Sequence, residues 1–114
     1  MMNKTQLCTK KCVPCEGGVD KLTPQQAASL ALEVPDWTLV KDHHLTRQFV
    51  FDDFAQALAF TNQVGALAEA EFHHPEITLT WGRVDLRIWT HAIDGLSEND
   101  FILAAKCDRL EIEV

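Results

Sequence analysis

The chain has 114 residues, of which 46% are hydrophobic, so it suits a single domain with a packed core. Its net charge of −7 argues against a nucleic-acid-binding surface, because phosphates would be repelled. No apolar run approaches the roughly 20 residues that a membrane span needs, and the first residues lack the apolar centre of a signal peptide. We therefore expect a cytoplasmic protein that binds neither nucleic acid nor membrane.

Residues 1–21 are polar and have no helical or strand period, so we expect a flexible N-terminal tail before a single domain at residues 22–114. The tail contains Cys8, Cys12 and Cys15 in the spacing C-x3-C-x2-C. This spacing also binds iron–sulfur clusters, in enzymes with a large barrel that this chain cannot form. A zinc site would need a fourth ligand, from Cys107 or a histidine. We favour reduced thiols in a mobile arm.

A first helix is predicted immediately after Thr23. Thr23 suits the N-cap position, Pro24 the first helical position and Gln26 the partner in a capping box. Pro35 ends the helix, because the residue before a proline is disfavoured in helical conformation.

The next segment predicts a hairpin, with strands at 37–41 and 45–51 and a polar turn at Asp42 and His43. Arg47 interrupts the apolar face of the second strand, so the alternation is imperfect. His43 and His44 form a pair at the hairpin tip without a following proline. We expect both to be solvated turn residues.

The longest predicted helix begins at Asp53, with Gln56 as its capping-box partner. Its apolar face is broad, and the helix is expected to continue to about Glu71. Glu69 then lies in the last turn, and the chain leads directly into His73.

Pro75 determines the conformation just after this helix. It disfavours helical geometry for His74 and favours an extended backbone there. Side chains of extended neighbours point in opposite directions, so His73 and His74 should not face the same atom in the same way.

A second hairpin is predicted from strands at 77–81 and 84–89, with a turn at Gly82 and Arg83. By parity, His91 joins the face of Trp89 and not the aliphatic face. If helices cover the aliphatic face, the open face with Trp89 predicts a subunit contact or a ligand contact.

Ser97 is the expected N-cap of a last helix, with Asp100 at the capping-box position. The predicted order is therefore α-β-β-α-β-β-α. Two hairpins separated by helices indicate the α+β class, with a four-stranded antiparallel sheet and helices packed on one face.

His73, His74 and His91 lie within one short segment. Imidazole titrates near neutrality, so such a cluster suggests proton transfer. The residues alone leave two alternatives open, namely metal ligands and ordinary surface or core histidines.

The segment from residue 69 to residue 100 resembles the pterin-4a-carbinolamine dehydratase family. The matching pattern is Glu69, three intervening residues, His73-His74-Pro75, Trp81, His91 and Asp100. The likeness extends upstream through Trp37 and FDDFAQALAFTNQVGALAE to KCVPCEGG, so it covers nearly the whole chain. HHP alone would be a weak motif, whereas the combined pattern is specific.

The resemblance implies a hydro-lyase that dehydrates 4a-hydroxytetrahydropterin, the 4a-carbinolamine, to quinonoid dihydropterin and water. The product would be recycled as the tetrahydropterin cofactor of an aromatic amino acid hydroxylase. The reaction needs no metal and no redox cofactor. The family also implies the α+β architecture above and a homodimer or homotetramer.

The resemblance places His73, His74 and His91 around the pterin as catalytic residues, with His73 and His91 as the main acid/base candidates. The implied substrate-binding positions are Trp37, Glu69, Phe72, Pro75, Trp81, Trp89, Thr90 and Asp100. Phe72 departs from the family, because the residue before the histidine pair is often polar there. A polar side-chain contact at that position is therefore lost.

Glu69 and Asp100 would orient imidazoles, and Trp37 and Trp81 would wall the pocket. Each has a simpler interpretation: Asp100 as a helix cap, Glu69 as a solvated helix residue and Trp81 as a core residue. Two other functions also stay open for the chain. One is a protein-interaction module like the animal family members that stabilise a transcription-factor dimer, and the other is a metal-binding protein.

Overall fold

The computed structural model describes Leu7, Thr9 and residues 20–110. Within residues 20–110 the elements follow the predicted order. Their bounds are α1 Pro24–Ala31, β1 Thr38–Val40, β2 His44–Val50, α2 Phe54–Glu71, β3 Glu76–Thr80, β4 Arg83–Ile88 and α3 Glu98–Cys107. A short 3-10 helix, His91–Ile93, lies between β4 and α3.

The strands form one antiparallel sheet in the order β1-β2-β4-β3. The pairing of β2 with β4 joins the two hairpins, from Leu45 opposite Ile88 to Val50 opposite Arg83. This register buries the aliphatic side of β4 completely, since Val84, Leu86 and Ile88 are each 0% exposed. Their neighbours on the other side of β4 are not buried, so helices cover one face and the predicted α+β class is confirmed.

Local capping residues begin the first two helices as predicted. The Thr23 hydroxyl accepts from the Gln26 amide, and the Gln26 side chain accepts from the Thr23 amide. At α2, the Asp53 carboxylate accepts from the Gln56 amide at 2.8 Å, so Asp53 is the N-cap as predicted. The Gln56 side chain accepts from the amide of Asp52 and not from that of Asp53, so the predicted capping box is not formed. These side chains satisfy backbone donors that have no partner inside the helix.

The hairpin turn between β3 and β4 differs from the prediction. Thr80 pairs with Arg83, so the turn consists of Trp81 and Gly82 and not of Gly82 and Arg83. Gly82 has φ +68°, and a Cβ there would lie 3.0 Å from the carbonyl oxygen of Phe51. Glycine is therefore required at this position of the turn. Because Trp81 is the other turn residue, it lies at the hairpin tip and is 70% exposed.

Arg47, which breaks the apolar pattern of β2, has a buried partner. Its guanidinium forms an ion pair with Asp108, whose side chain is 1% exposed, and lies 4.3 Å from the ring centroid of Phe49. The same carboxylate oxygen accepts a hydrogen bond from Trp37 Nε1 at 2.9 Å. Arg47 thus stabilises a carboxylate that burial would otherwise disfavour.

Upstream of residue 20, Leu7 is helical and fully buried in the hydrophobic core. This position therefore packs on the domain, although it lies in the segment expected to be a tail. Cys8, Cys12 and Cys15 are outside the described residues, whereas Cys107 is buried in α3. Among the helices described, none combines the length and apolarity needed to cross a membrane.

Candidate active site

The site begins where α2 ends. Phe72 is the C-cap residue of α2 and has left-handed backbone angles, φ 54° and ψ 37°. Its amide donates to the carbonyl oxygens of the last helical turn, and the amide of His73 donates to Ala68 at 3.2 Å. This left-handed residue turns the chain out of the helix and into the His73–Pro75 segment, which leads to β3.

His73 points inward and forms a buried pair with α3. Its Nε2 lies 2.6 Å from Asp100 Oδ1, and the two side chains are 7% and 0% exposed. A carboxylate only accepts hydrogen bonds, so Nε2 of His73 carries the proton in this pair. Among the described residues, none forms a hydrogen bond with its other ring nitrogen, Nδ1.

Asp100 is held by further donors at the start of α3. Its Oδ2 accepts from the Thr90 hydroxyl and from the Ser97 amide, each at 2.8 Å. The Ser97 hydroxyl lies 2.7 Å from that of Thr90. Asp100 therefore caps α3 and orients His73 at once, and the two interpretations that the sequence left open are compatible.

His74 points the other way, as the extended backbone predicted. Its side chain is 53% exposed, and its Nε2 is hydrogen-bonded to Glu69 in the last turn of α2. Glu69 is itself 78% exposed. Because this pair is open to solvent, it fixes the ring of His74 less firmly than Asp100 fixes that of His73.

His91 reaches the same region from β4. It begins the 3-10 helix, is exposed, and packs its ring on Trp89 with the two centroids 4.4 Å apart. An open cleft of about 180 Å³ lies here. The cleft is lined by Phe72, His73, His74, Trp89, Thr90, His91 and Ala92. All three histidines singled out from the sequence therefore lie at one cleft.

The other predicted site residues lie at varying distances from this cleft. Glu69 and Asp100 contact it through His74 and His73, and the half-buried Pro75 follows its lining segment. Trp37 is 5% exposed in the core, and Trp81 is at the hairpin tip, so neither tryptophan is part of the lining within this chain.

His43 and His44 were expected to be solvated turn residues. This prediction is wrong for His44, which belongs to β2, whereas His43 lies in the turn with 33% of its side chain exposed. His44 is 9% exposed, and the ring of His43 is 5.5 Å from that of Trp89. Burial, with a smaller effect of the Arg87 charge, lowers the pKa of His44 below its ordinary value. Extending the β2–β4 register back to His44 would have placed it opposite Trp89, but the register is not visible from the sequence.

His43 also ties the first hairpin to the turn that follows His91. Its Nε2 lies 2.8 Å from Asp94 Oδ1, and this hydrogen bond is the main reason that the pKa of Asp94 is lowered. Asp94 itself has a left-handed backbone, with φ 48°. The His43–Asp94 contact thus helps to hold the 3-10 helix beside the sheet.

These groups make the cleft suited to proton transfer. It combines one imidazole oriented by a buried carboxylate with two exposed imidazoles on opposite segments. Among the side chains of the described residues, no group of three or more His, Cys, Asp or Glu is arranged to hold a metal ion.

Comparison with known proteins shows which family this sequence matches. Residues 20–110 match the model of the family described as pterin 4 alpha carbinolamine dehydratase. A protein of Rubrobacter xylanophilus, provisionally named pterin-4-alpha-carbinolamine dehydratase, is 50% identical over 93% of this chain and 99% of its own length. A protein of Halorhodospira halophila with the same provisional name is 51% identical over 91% and 96%.

A solved structure also matches. The crystal structure of a transcriptional coactivator/pterin dehydratase from Brucella melitensis superposes with a TM-score of 0.74 and is 32% identical in sequence. The match covers 78% of this chain and 96% of that chain.

Proposed function

Because this chain belongs to the pterin 4 alpha carbinolamine dehydratase family, we propose that its cleft dehydrates 4a-hydroxytetrahydropterin to quinonoid dihydropterin and water. The observation that carries the proposal is the buried His73–Asp100 pair at a cleft shared with His74 and His91. The product would return to an aromatic amino acid hydroxylase after reduction, and the proposed location is the cytoplasm.

The reaction removes water from a carbon that also bears a ring nitrogen. An acid protonates the hydroxyl at C4a, the lone pair of N5 forms a C=N bond as water departs, and a base takes the proton from N5. The electrons stay within the ring system, so the net change is loss of water alone. Imidazoles suit both proton transfers, since each form is available near neutral pH.

His73 and His91 are the proposed acid/base residues. Asp100 holds His73 in the tautomer that leaves Nδ1 for the proton transfer. His91 is exposed at the cleft, and among the described residues none forms a hydrogen bond with its ring nitrogens. His74, with Glu69, would bind the substrate at the more open side.

The remaining contacts of the proposed site are binding contacts. Thr90 lines the cleft while its hydroxyl is bound to Asp100, and Trp89 offers an aromatic surface next to His91. Pro75 keeps the histidine segment extended. Trp37 and Trp81 are proposed as substrate residues from the family pattern alone. Trp81, which is exposed at the hairpin tip, would contribute if a second subunit completed the cleft.

The test is the decay of the carbinolamine with and without the protein. We expect His73→Ala and His91→Ala each to lower kcat by about 10²- to 10³-fold, because each removes one proton-transfer group. Arg83→Ala is the control, since Arg83 also binds a carboxylate, that of Asp85, and does not line the cleft. Full turnover in both His73→Ala and His91→Ala would disprove the assigned roles.

A second candidate is a protein-interaction function, alone or beside catalysis. The Brucella structure is described as both a coactivator and a pterin dehydratase. On this chain, α2 leaves Phe54 43% and Leu58 40% exposed, so an apolar surface remains for a partner or for a homodimer or homotetramer. Sedimentation of the wild-type protein and of Phe54→Gln with Leu58→Gln tests this, since loss of assembly is expected in the double variant.

A further inference from the structure

Phe72 is in an unusual position for an aromatic residue. It has a left-handed backbone with φ 54°, and it is 87% exposed. Among the described residues, the other non-glycine residues with positive φ are Lys41, Asp42 and Asp94, which are all polar. Phe72 therefore combines an unfavourable backbone conformation with an apolar side chain that faces solvent.

Neither feature stabilises the fold of the single chain. At the C-cap of a helix, glycine or asparagine adopts left-handed angles at lower cost, because the Cβ of other residues approaches the carbonyl oxygen. An exposed phenylalanine also gains no free energy from burial. The ring can contribute favourable free energy only when a bound molecule or another chain covers it.

The position of Phe72 indicates what covers it. The residue lines the cleft together with His73 and His74, and the facing segment supplies Trp89 and His91. The cleft thus has an aromatic residue on each of its two wall segments, with imidazoles beside them. A flat ring system gains most from such walls, because aromatic rings stack favourably with offset or edge contacts.

We infer that Phe72 supplies a stacking surface for the bicyclic ring of the substrate and is a binding residue without a proton-transfer role. The inference rests on the proposed function for the identity of the ring. At this position, the aromatic ring of Phe72 takes the place of the polar side chain that the family pattern would have provided. The left-handed backbone is kept because it turns the chain into His73.

The test compares Phe72→Asn, which suits left-handed angles but lacks the ring, with Phe72→Tyr, which keeps the ring. The probe is an oxidised pterin, whose flat ring is fluorescent, and the readouts are its Kd, the Tm and the sedimentation coefficient. Lys41→Asn is the control for backbone strain, since Lys41 has φ 52° and does not line the cleft.

We expect Phe72→Asn to raise Kd by roughly three- to tenfold and the Tm by about 4 °C. Phe72→Tyr should bind like the wild type, and Lys41→Asn should gain Tm without a change in Kd. Where dehydration is measurable, Phe72→Asn should raise KM by the same factor and leave kcat within about twofold.

Two results would overturn the inference. One is an unchanged Kd in Phe72→Asn. If the sedimentation coefficient of this variant also falls, the ring of Phe72 is a subunit contact and not a stacking surface for the substrate. The other is a wild-type protein that does not bind the oxidised pterin. A wild-type protein that binds the pterin but does not dehydrate the carbinolamine would refute the proposed function alone, because the Kd ratio still decides the role of Phe72.

Discussion

Replacement of Asp100 by asparagine separates the two tasks of this residue. The asparagine side chain would have the same size, and its carbonyl oxygen would still accept from Thr90 and from the Ser97 amide. Its NH₂ group would then face Nε2 of His73, where the carboxylate oxygen now accepts at 2.6 Å. Two donors would meet, and His73 would change tautomer or lose the contact.

The magnitude follows from the bonds affected. One buried, charge-assisted hydrogen bond is lost and two are weakened, so the free energy of unfolding should fall by about 2–3 kcal/mol. For a domain of this size that is roughly 10–20 °C in Tm. Catalysis should suffer more, with kcat lower by about 10²- to 10⁴-fold, because the proton is then on the wrong nitrogen of His73.

The assays are urea unfolding and stopped-flow decay of the carbinolamine at a temperature where both proteins are folded. Ser97→Ala is the control, because it removes a hydroxyl that is bonded to Thr90 and keeps the His73–Asp100 bond. It should lose about 1 kcal/mol of stability and little of kcat. A kcat within threefold of wild type in the asparagine variant would show that Asp100 acts only as a helix cap.

Three further predictions concern stability. Arg47→Met should lower the free energy of unfolding by about 3 kcal/mol in denaturant titrations, because it removes the guanidinium that is paired with the buried carboxylate of Asp108. An unchanged midpoint would contradict the role of this pair. Burial holds the pKa of His44 below 6.5, so the unfolded chain takes up a proton first and stability is lost as the pH falls below that value. His44→Gln should therefore lose less Tm between about pH 7.5 and about pH 5.5 than the wild type, and an equal loss would argue against this residue as the source. Gly82→Ala should cost about 1–3 kcal/mol in the same titrations, since φ is +68° and the new Cβ would lie 3.0 Å from the carbonyl oxygen of Phe51, and full stability would show that the turn relaxes freely.

Local sequence determined most of the secondary structure. The caps at Thr23 and Asp53 and the break before Pro75 each depend on residues within four positions of one another. The alternation in β4 likewise identified its buried face. Such features need no knowledge of the rest of the chain, because the interacting groups are neighbours in sequence.

The chemistry of the site was suggested by residue types and by the family pattern, and its geometry came from packing. His73 and Asp100 are 27 residues apart and meet only because α3 packs beside the end of α2. The opposite orientations of His73 and His74 could be predicted, because they follow from the backbone before Pro75. The sequence could not predict which of these two histidines would be buried.

Register is where sequence reasoning failed. The first hairpin was predicted correctly, yet His43 and His44 were assigned to solvent, because their contact with Trp89 depends on how β2 aligns with β4. The turn at Gly82 was misplaced by one residue, which put Trp81 in the strand and not at the exposed tip. The sequence by itself determined the elements, the fold class and the set of histidines. Only the tertiary structure decided which carboxylate holds which imidazole, because that depends on long-range packing and strand alignment.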